Sequence, residues 1–258
     1  QEGEIRGSNA SGIVNGAHNV GGLVGYQSGS ITHSDVTGTV DGTSEVGGLV
    51  GRQNGAISLS NTTADVNGSN RVGGLVGRQE KNITESYAVG AVNGAERVGG
   101  LVGQQSDTIS SSHATGDVNG TEDVGGLVGL QVLDTTKNSY ATGSVTGTNN
   151  TGGLVGLQNG IVSSSYASGS VTGSQLVGGL IGSNNNVVNS SYASGSVTGS
   201  QFVGGLVGVN YDSINRSYAT GAITADETAG GLVGYSSSGH ISKSYAVGSV
   251  EESERDFD

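Results

Sequence analysis

The chain contains no cysteine, no proline, no methionine and no tryptophan. Without cysteine there is neither a disulfide framework nor a thiolate metal site, and the redox compartment stays unmarked. Without proline, a polyproline stalk is excluded, and fifty glycines without a Gly-X-Y period exclude collagen. Aromatic residues are scarce, at nine tyrosines and two phenylalanines. Cations are scarce too: ten Lys and Arg stand against 22 Asp and Glu, for a net charge of −12. A chain of that balance has no cationic stripe with which to displace the counterions of nucleic acid, so no nucleic-acid partner is expected. The apolar runs are only a few residues long, so direct membrane insertion is not expected, and no signal peptide is visible. Opening at Gln1 and lacking methionine, the sequence reads as processed or as an excised piece.

What the chain does have is a period. The hexad Val-Gly-Gly-Leu-Val-Gly begins at Val20 and returns at Val46, Val72, Val98, Val124, Thr151, Val177, Val203 and Ala229, in steps of 26 residues with one of 27. A period between 20 and 50 residues marks a solenoid or array. A second signature, Ser-Tyr-Ala-x-Gly-x-Val, is intact at 139–145, 165–171 and 191–197, and its opening serine recurs from Ser8 to Ser244. Three residues before most of these serines stands Ile or Val; Thr136 breaks that series. Asn-Gly, Asp-Gly and Thr-Gly pairs supply turn chemistry between the segments.

Each repeat therefore reads as three short strands: the glycine hexad, Ile-x-x-Ser, and Tyr-Ala-x-Gly-x-Val. Glycine inside every candidate element disfavours helix by about 1 kcal/mol each relative to alanine. The expected fold is all-β: a single-stranded parallel β-helix with three strands per coil and about nine and a half coils. Right-handed coiling is expected from the general preference of parallel crossovers. Residues 1–250 form the solenoid, and 251–258 an acidic tail. Alternation puts Ser, Ala, Gly and Val of the third strand inside and Tyr, Ser and Thr outside. A column of amides, from Gln27 to Gln158 and on through Asn184 and Asn210, is expected to hydrogen-bond up the stack. Extra residues between Gly129 and Ser139, and between Gly234 and Ser244, should bulge without disturbing register.

The Gly-Gly-Leu-Val-Gly core at this spacing resembles the GLUG motif, a Gly-Leu-x-Gly repeat, over nearly the whole chain. That resemblance implies a place in large secreted or surface-bound bacterial and archaeal proteins, among them filamentous-haemagglutinin-like adhesins and some immunoglobulin A peptidases. The peptidase activity does not transfer, because a zinc-binding His-Glu-x-x-His has no counterpart at His18, His33, His113 or His240.

No catalytic, metal or cofactor site is expected: the histidines stand alone, and the aspartates form no repeating column. The candidate contact residues are Tyr140, Tyr166, Tyr192 and Tyr218, on four consecutive repeats, with Tyr87 and Tyr245 beyond and Asp35, Asn61 and His113 interrupting the column. They suit either a platform for glycan or a neighbouring surface, or an aromatic ladder that only stabilises. Leu176 and Phe202, one repeat apart, are the second candidate, as an exposed apolar patch or as corner packing. The expected role is non-enzymatic: an extracellular or cell-surface stalk or fibre-forming adhesion module. Head-to-tail association through open coil ends, or continuation into flanking repeats, would extend it. An ice-binding face is the alternative, although Asp65, Asp117 and several serines interrupt the threonine columns it needs. A non-catalytic segment of a secreted peptidase is a further one.

Overall fold

The computed structural model describes residues 3–252. Every strand pairing among them is parallel and joins a residue to its counterpart one coil away, as in Ile57↔Ile83, Tyr140↔Tyr166 and Val98↔Val124. Ten strands stack in the isoleucine sheet and nine in each of the two glycine sheets, so the fold is an all-β parallel solenoid of about ten turns. One coil runs Asn70–Gly73, Val76–Gln79, Ile83–Thr84, Tyr87–Ala88 and Val92–Asn93. The three strands expected per coil are thus five short segments. The glycine hexad bends at its centre, and the tyrosine strand bends around its glycine.

Close approach explains the first bend. A Cβ on Gly99 would run into the carbonyl of Val102 and lie 2.7 Å from the amide nitrogen of Gly129 on the next coil. One on Gly100 would collide with the carbonyl of Gly126. The corner closes only where a side chain is missing. Beside it stands a column in the left-handed region without being glycine: Asn19, Glu45, Arg71, Arg97, Asp123, Asn150, Leu176 and Phe202, with φ between 48° and 56°. In the first two coils the tyrosine strand does not break. Asn9–Asn15 and Asp35–Asp41 are continuous, with Gly12 and Gly38 at φ 129° and 116°.

The core is thin and regular. Leu49 to Leu206, the isoleucine column from Ile31 to Ile214 and the paired valines from Val46 to Val207 are fully buried. The serine column is buried with them, as the alternation predicts, and forms a ladder of its own. The backbone N–H of Ser60 donates to Ser86 Oγ (3.2 Å), while Ser60 Oγ donates to the carbonyl of Ser58 (2.9 Å). The same pair of bonds recurs coil after coil, for example from Ser165 to Ser191 and from Ser165 to Ser163. A buried hydroxyl is tolerated there because both its roles are filled.

The glutamine column departs from expectation. Its amides do not bond to one another; they reach into the loop. Gln79 Nε2 donates to the carbonyls of Lys81 (2.9 Å) and Asp107 (3.2 Å), and Gln158 Nε2 to those of Gly160 (2.6 Å) and Val187 (3.1 Å). The longer glutamine arm carries the amide past its neighbour to the carbonyls of the loop. The shorter Asn184 does stack, donating to Asn210 Oδ1 (2.6 Å). A second amide ladder stands at the turns, Asn119 to Asn93 to Asn67 to Asp41, with steps of 3.1, 2.9 and 2.8 Å.

Both extra residues are absorbed as expected. Ile109 pairs with Thr136 and Thr136 with Val162; Ile214 pairs with Ile241. Thr136 breaks the isoleucine series for a reason: it is fully buried, and its hydroxyl donates to Gln105 Oε1 at 2.8 Å. At the C-terminal end the valine strand continues through Glu251 and Glu252, which pair with Thr224 and Ala225. The remainder of the expected acidic tail, 253–258, lies outside the described residues.

Candidate functional site

Two surfaces bear side chains beyond what the ladders require. The first is aromatic. Tyr140, Tyr166, Tyr192 and Tyr218 stack in register with centroids 4.9 Å apart and ring planes within 6° of parallel. The column is longer than four rings. Tyr245 continues it at 5.2 Å, and His113 is a member of it, 5.0 Å from Tyr87 and 4.6 Å from Tyr140. A flat imidazole at the same register stacks as a phenol ring does, so the interruption expected at His113 is absent. Asp35 and Asn61 do end the column, because neither carries a ring.

This geometry decides what the ladder offers. Both faces of every inner ring are covered by its neighbours, so a sugar cannot lie on them; what remains outward is a row of ring edges and hydroxyls. Burial, helped by the neighbouring phenols, raises the pKa of Tyr166 and Tyr218, which keeps those hydroxyls protonated and able to donate. Burial lowers that of His113, favouring the neutral imidazole between its two tyrosines.

The second surface is the glycine corner, where the left-handed column meets the outward column of the following strand. Glu45 sits 3.4 Å from Arg71 and 3.6 Å from Arg78, and Glu80 lies 2.9 Å from Arg52 and 3.1 Å from Arg78. Arg71 Nε donates to Gln104 Oε1 at 2.7 Å. Burial and the nearby Arg97 lower the pKa of Arg71, against the pull of Glu45. Further along, Leu176 and Phe202 occupy the same corner position. Both are half-buried, and the Phe202 ring tilts at 55° against Tyr235, 5.5 Å away. Leu130 and Leu157 pair with one another in the outward column of the following strand. The candidate pair is therefore partly covered corner packing, and it does not meet the tyrosine column. At the junction between the two chemistries lies Asp123, 7% exposed; burial raises its pKa while the Asn150 amide, 2.9 Å away, opposes the shift.

Among the described residues no group of three or more His, Cys, Asp or Glu is placed to hold a metal ion, and no helix is long and apolar enough to cross a membrane.

The model of the GLUG motif matches residues 16–41, 94–119 and 120–146. The chain is a GLUG-repeat β-solenoid. The matched repeats are joined to the others by uninterrupted parallel pairing, so the remaining hexads occupy the same structural positions as those the motif covers. No curated protein and no solved structure matches the chain.

Proposed function

We propose that this GLUG-repeat solenoid is a non-enzymatic extension and display element of an extracellular, cell-surface protein. The observation that carries the reading is continuity. The isoleucine, serine and valine columns run through the coils in one register, so each coil is held to the next by backbone hydrogen bonds on every face. Ten coils at about 4.8 Å each make a rod of roughly 48 Å whose length changes only if ladders break. The ladders that join coils inside the rod are equally available to a further coil at either end of the described residues, from flanking repeats or from a second copy. The rod would then serve adhesion by holding a binding surface away from the cell. Antibody labelling of intact source cells tests the placement: labelling without permeabilisation is expected, and a signal that needs permeabilised cells overturns it. Negative-stain microscopy of the purified chain reads the ends, with filaments expected where copies pair and single short rods where they do not.

A further inference from the structure

The tyrosine ladder stops three coils short of the start of the solenoid. Tyr87 is its first ring, and the preceding coils carry Asn61, Asp35 and Asn9 at the same register. One face of Tyr87 is covered by His113; the other has no ring against it among the described residues. The side chains that replace the rings are smaller, and they leave two adjoining clefts of about 250 and 330 Å³. Tyr87, Asn61, Thr63, Thr37 and Asp35 line the first; Asp35 and Thr37 continue into the second with Asn9. Asn61 Nδ2 donates to Asp35 Oδ1 at 3.1 Å, which fixes the amide and the carboxylate relative to one another.

We propose that this notch is a saccharide-binding site that packs a pyranose ring against the part of Tyr87 that reaches past the shorter Asn61 and lines the cleft. A pyranose has an apolar C–H face and a rim of hydroxyls. The notch offers part of one aromatic ring, a carboxylate that only accepts hydrogen bonds, the exposed amide of Asn9, and two threonine hydroxyls that do both. One apolar platform with a few convergent polar groups is the general form of a small-molecule site, and clefts near 300 Å³ stand at its lower size limit. That size fits one or two sugar units. The inner rings of the ladder have both faces covered by neighbouring rings. The site exists because rings are missing, so restoring a ring should close it. The inference stands on this geometry alone and does not depend on where the protein is located.

Saturation-transfer NMR with cellobiose, maltose, xylobiose and chitobiose, and with tetramethylammonium as a cation probe, tests it. At least one disaccharide is expected to bind saturably below about 10 mM, with the ring C–H protons most strongly saturated. Asn61→Tyr extends the ladder by one ring into the notch; it should weaken binding at least about tenfold without lowering the melting temperature. Tyr87→Leu keeps apolar bulk but removes the aromatic face, and it should show the same loss. Tyr192→Ala, in the middle of the ladder, should leave binding unchanged. Binding that survives both Asn61→Tyr and Tyr87→Leu overturns the proposal. So does the absence of saturable binding by any of the four sugars, or binding of tetramethylammonium alone.

Discussion

Along the glycine corner the two halves of the rod carry different chemistry on the same backbone. In the second to fourth coils the corner holds Glu45, Arg52, Arg71 and Arg78, linked through Glu80 and Gln104, with the charge of Arg97 nearby. In the later coils it holds Leu130, Leu157, Leu176 and Phe202. The φ angles hardly change: Arg71 and Arg97 stand at 53° and 55°, Leu176 and Phe202 at 55° and 56°. The corner is therefore not made by the residues that occupy it. It is made by the glycines that let the coils approach and by the inward columns, which are the same in both halves. The outward columns are free to differ, and that is where any function that varies along the rod resides.

If the frame is common to both halves, breaking it should cost the same in each. Gly73→Ala and Gly178→Ala put a Cβ into the same two places: the carbonyl two strands' turn ahead (Val76 or Ile181) and the amide nitrogen of the next coil, 2.7 Å away at Gly103 or Gly208. Neither obstacle is a flexible side chain. Each substitution is expected to cost about 3 kcal/mol or more in urea denaturation. A clear difference between the two variants would show that the halves do not share one frame.

The period, the parallel stacking, the inward Ser, Ala and Val columns and the absorption of both extra residues were legible from spacing alone, because in a solenoid each position repeats its environment. Where a coil turns was not legible. Glycine is compatible with strand and bend alike, so Val-Gly-Gly-Leu-Val-Gly reads as one strand until the close approach of the next coil is seen. Nor do Glu, Arg, Leu and Phe announce a left-handed conformation; only Asn19, Asp123 and Asn150 in that column hint at it. The tyrosine column was visible as a list, but ring separation decides that its faces are closed and that its open end at Tyr87 is the informative point. Glutamine reach failed for a similar reason, since one methylene determines whether an amide meets its neighbour or the loop.

A pair of buried threonines at the join of the two halves sharpens the comparison next. Thr136 and Thr151 each replace an aliphatic residue in a fully buried column. Thr136 has an acceptor in Gln105 Oε1, whereas Thr151 Oγ1 has no hydrogen-bond partner. Thr151→Val is therefore expected to stabilise by about 1 kcal/mol, and Thr136→Val to destabilise by a similar amount. Equal shifts of the same sign in thermal melts would mean that the hydrogen bond to Gln105 carries no weight.

Asp123, where the charged stretch gives way, should produce a smaller effect with a defined pH course. Its folded pKa is raised above the ordinary 3.8 by burial, so the folded state holds the proton more tightly than the unfolded chain. The stability it allows is complete below that ordinary value and falls as pH rises through the raised pKa. Asp123→Asn keeps an acceptor for Asn150 and removes the titration. It should raise stability at neutral pH, within the roughly 1 kcal/mol of a single hydrogen bond, and flatten the profile between pH 3 and 7. A variant less stable than the parent at pH 7 would show that the charge is satisfied.

The smallest effect is expected in the charged half itself, and its sign is the informative part. Glu45 lies between Arg71 and Arg78, with Arg97 and Arg52 also close enough to depress the pKa of Arg71. Partly exposed pairs of this kind contribute little, so Glu45→Gln should cost only about 0.5 kcal/mol. Removing the carboxylate, however, leaves arginines facing arginines with only Glu80 between them. In the parent, Glu45 and Glu80 offset part of the repulsion among the arginines, so salt should change the stability little. In the variant salt screens a larger net repulsion and should strengthen the fold over the same range of ionic strength. The same pair of melts with Leu176→Asn, in the apolar half, should show no such change in salt dependence, since no charge network is disturbed there. The same change in both halves, or in neither, would mean that the division of the corner into a charged and an apolar stretch has no energetic content.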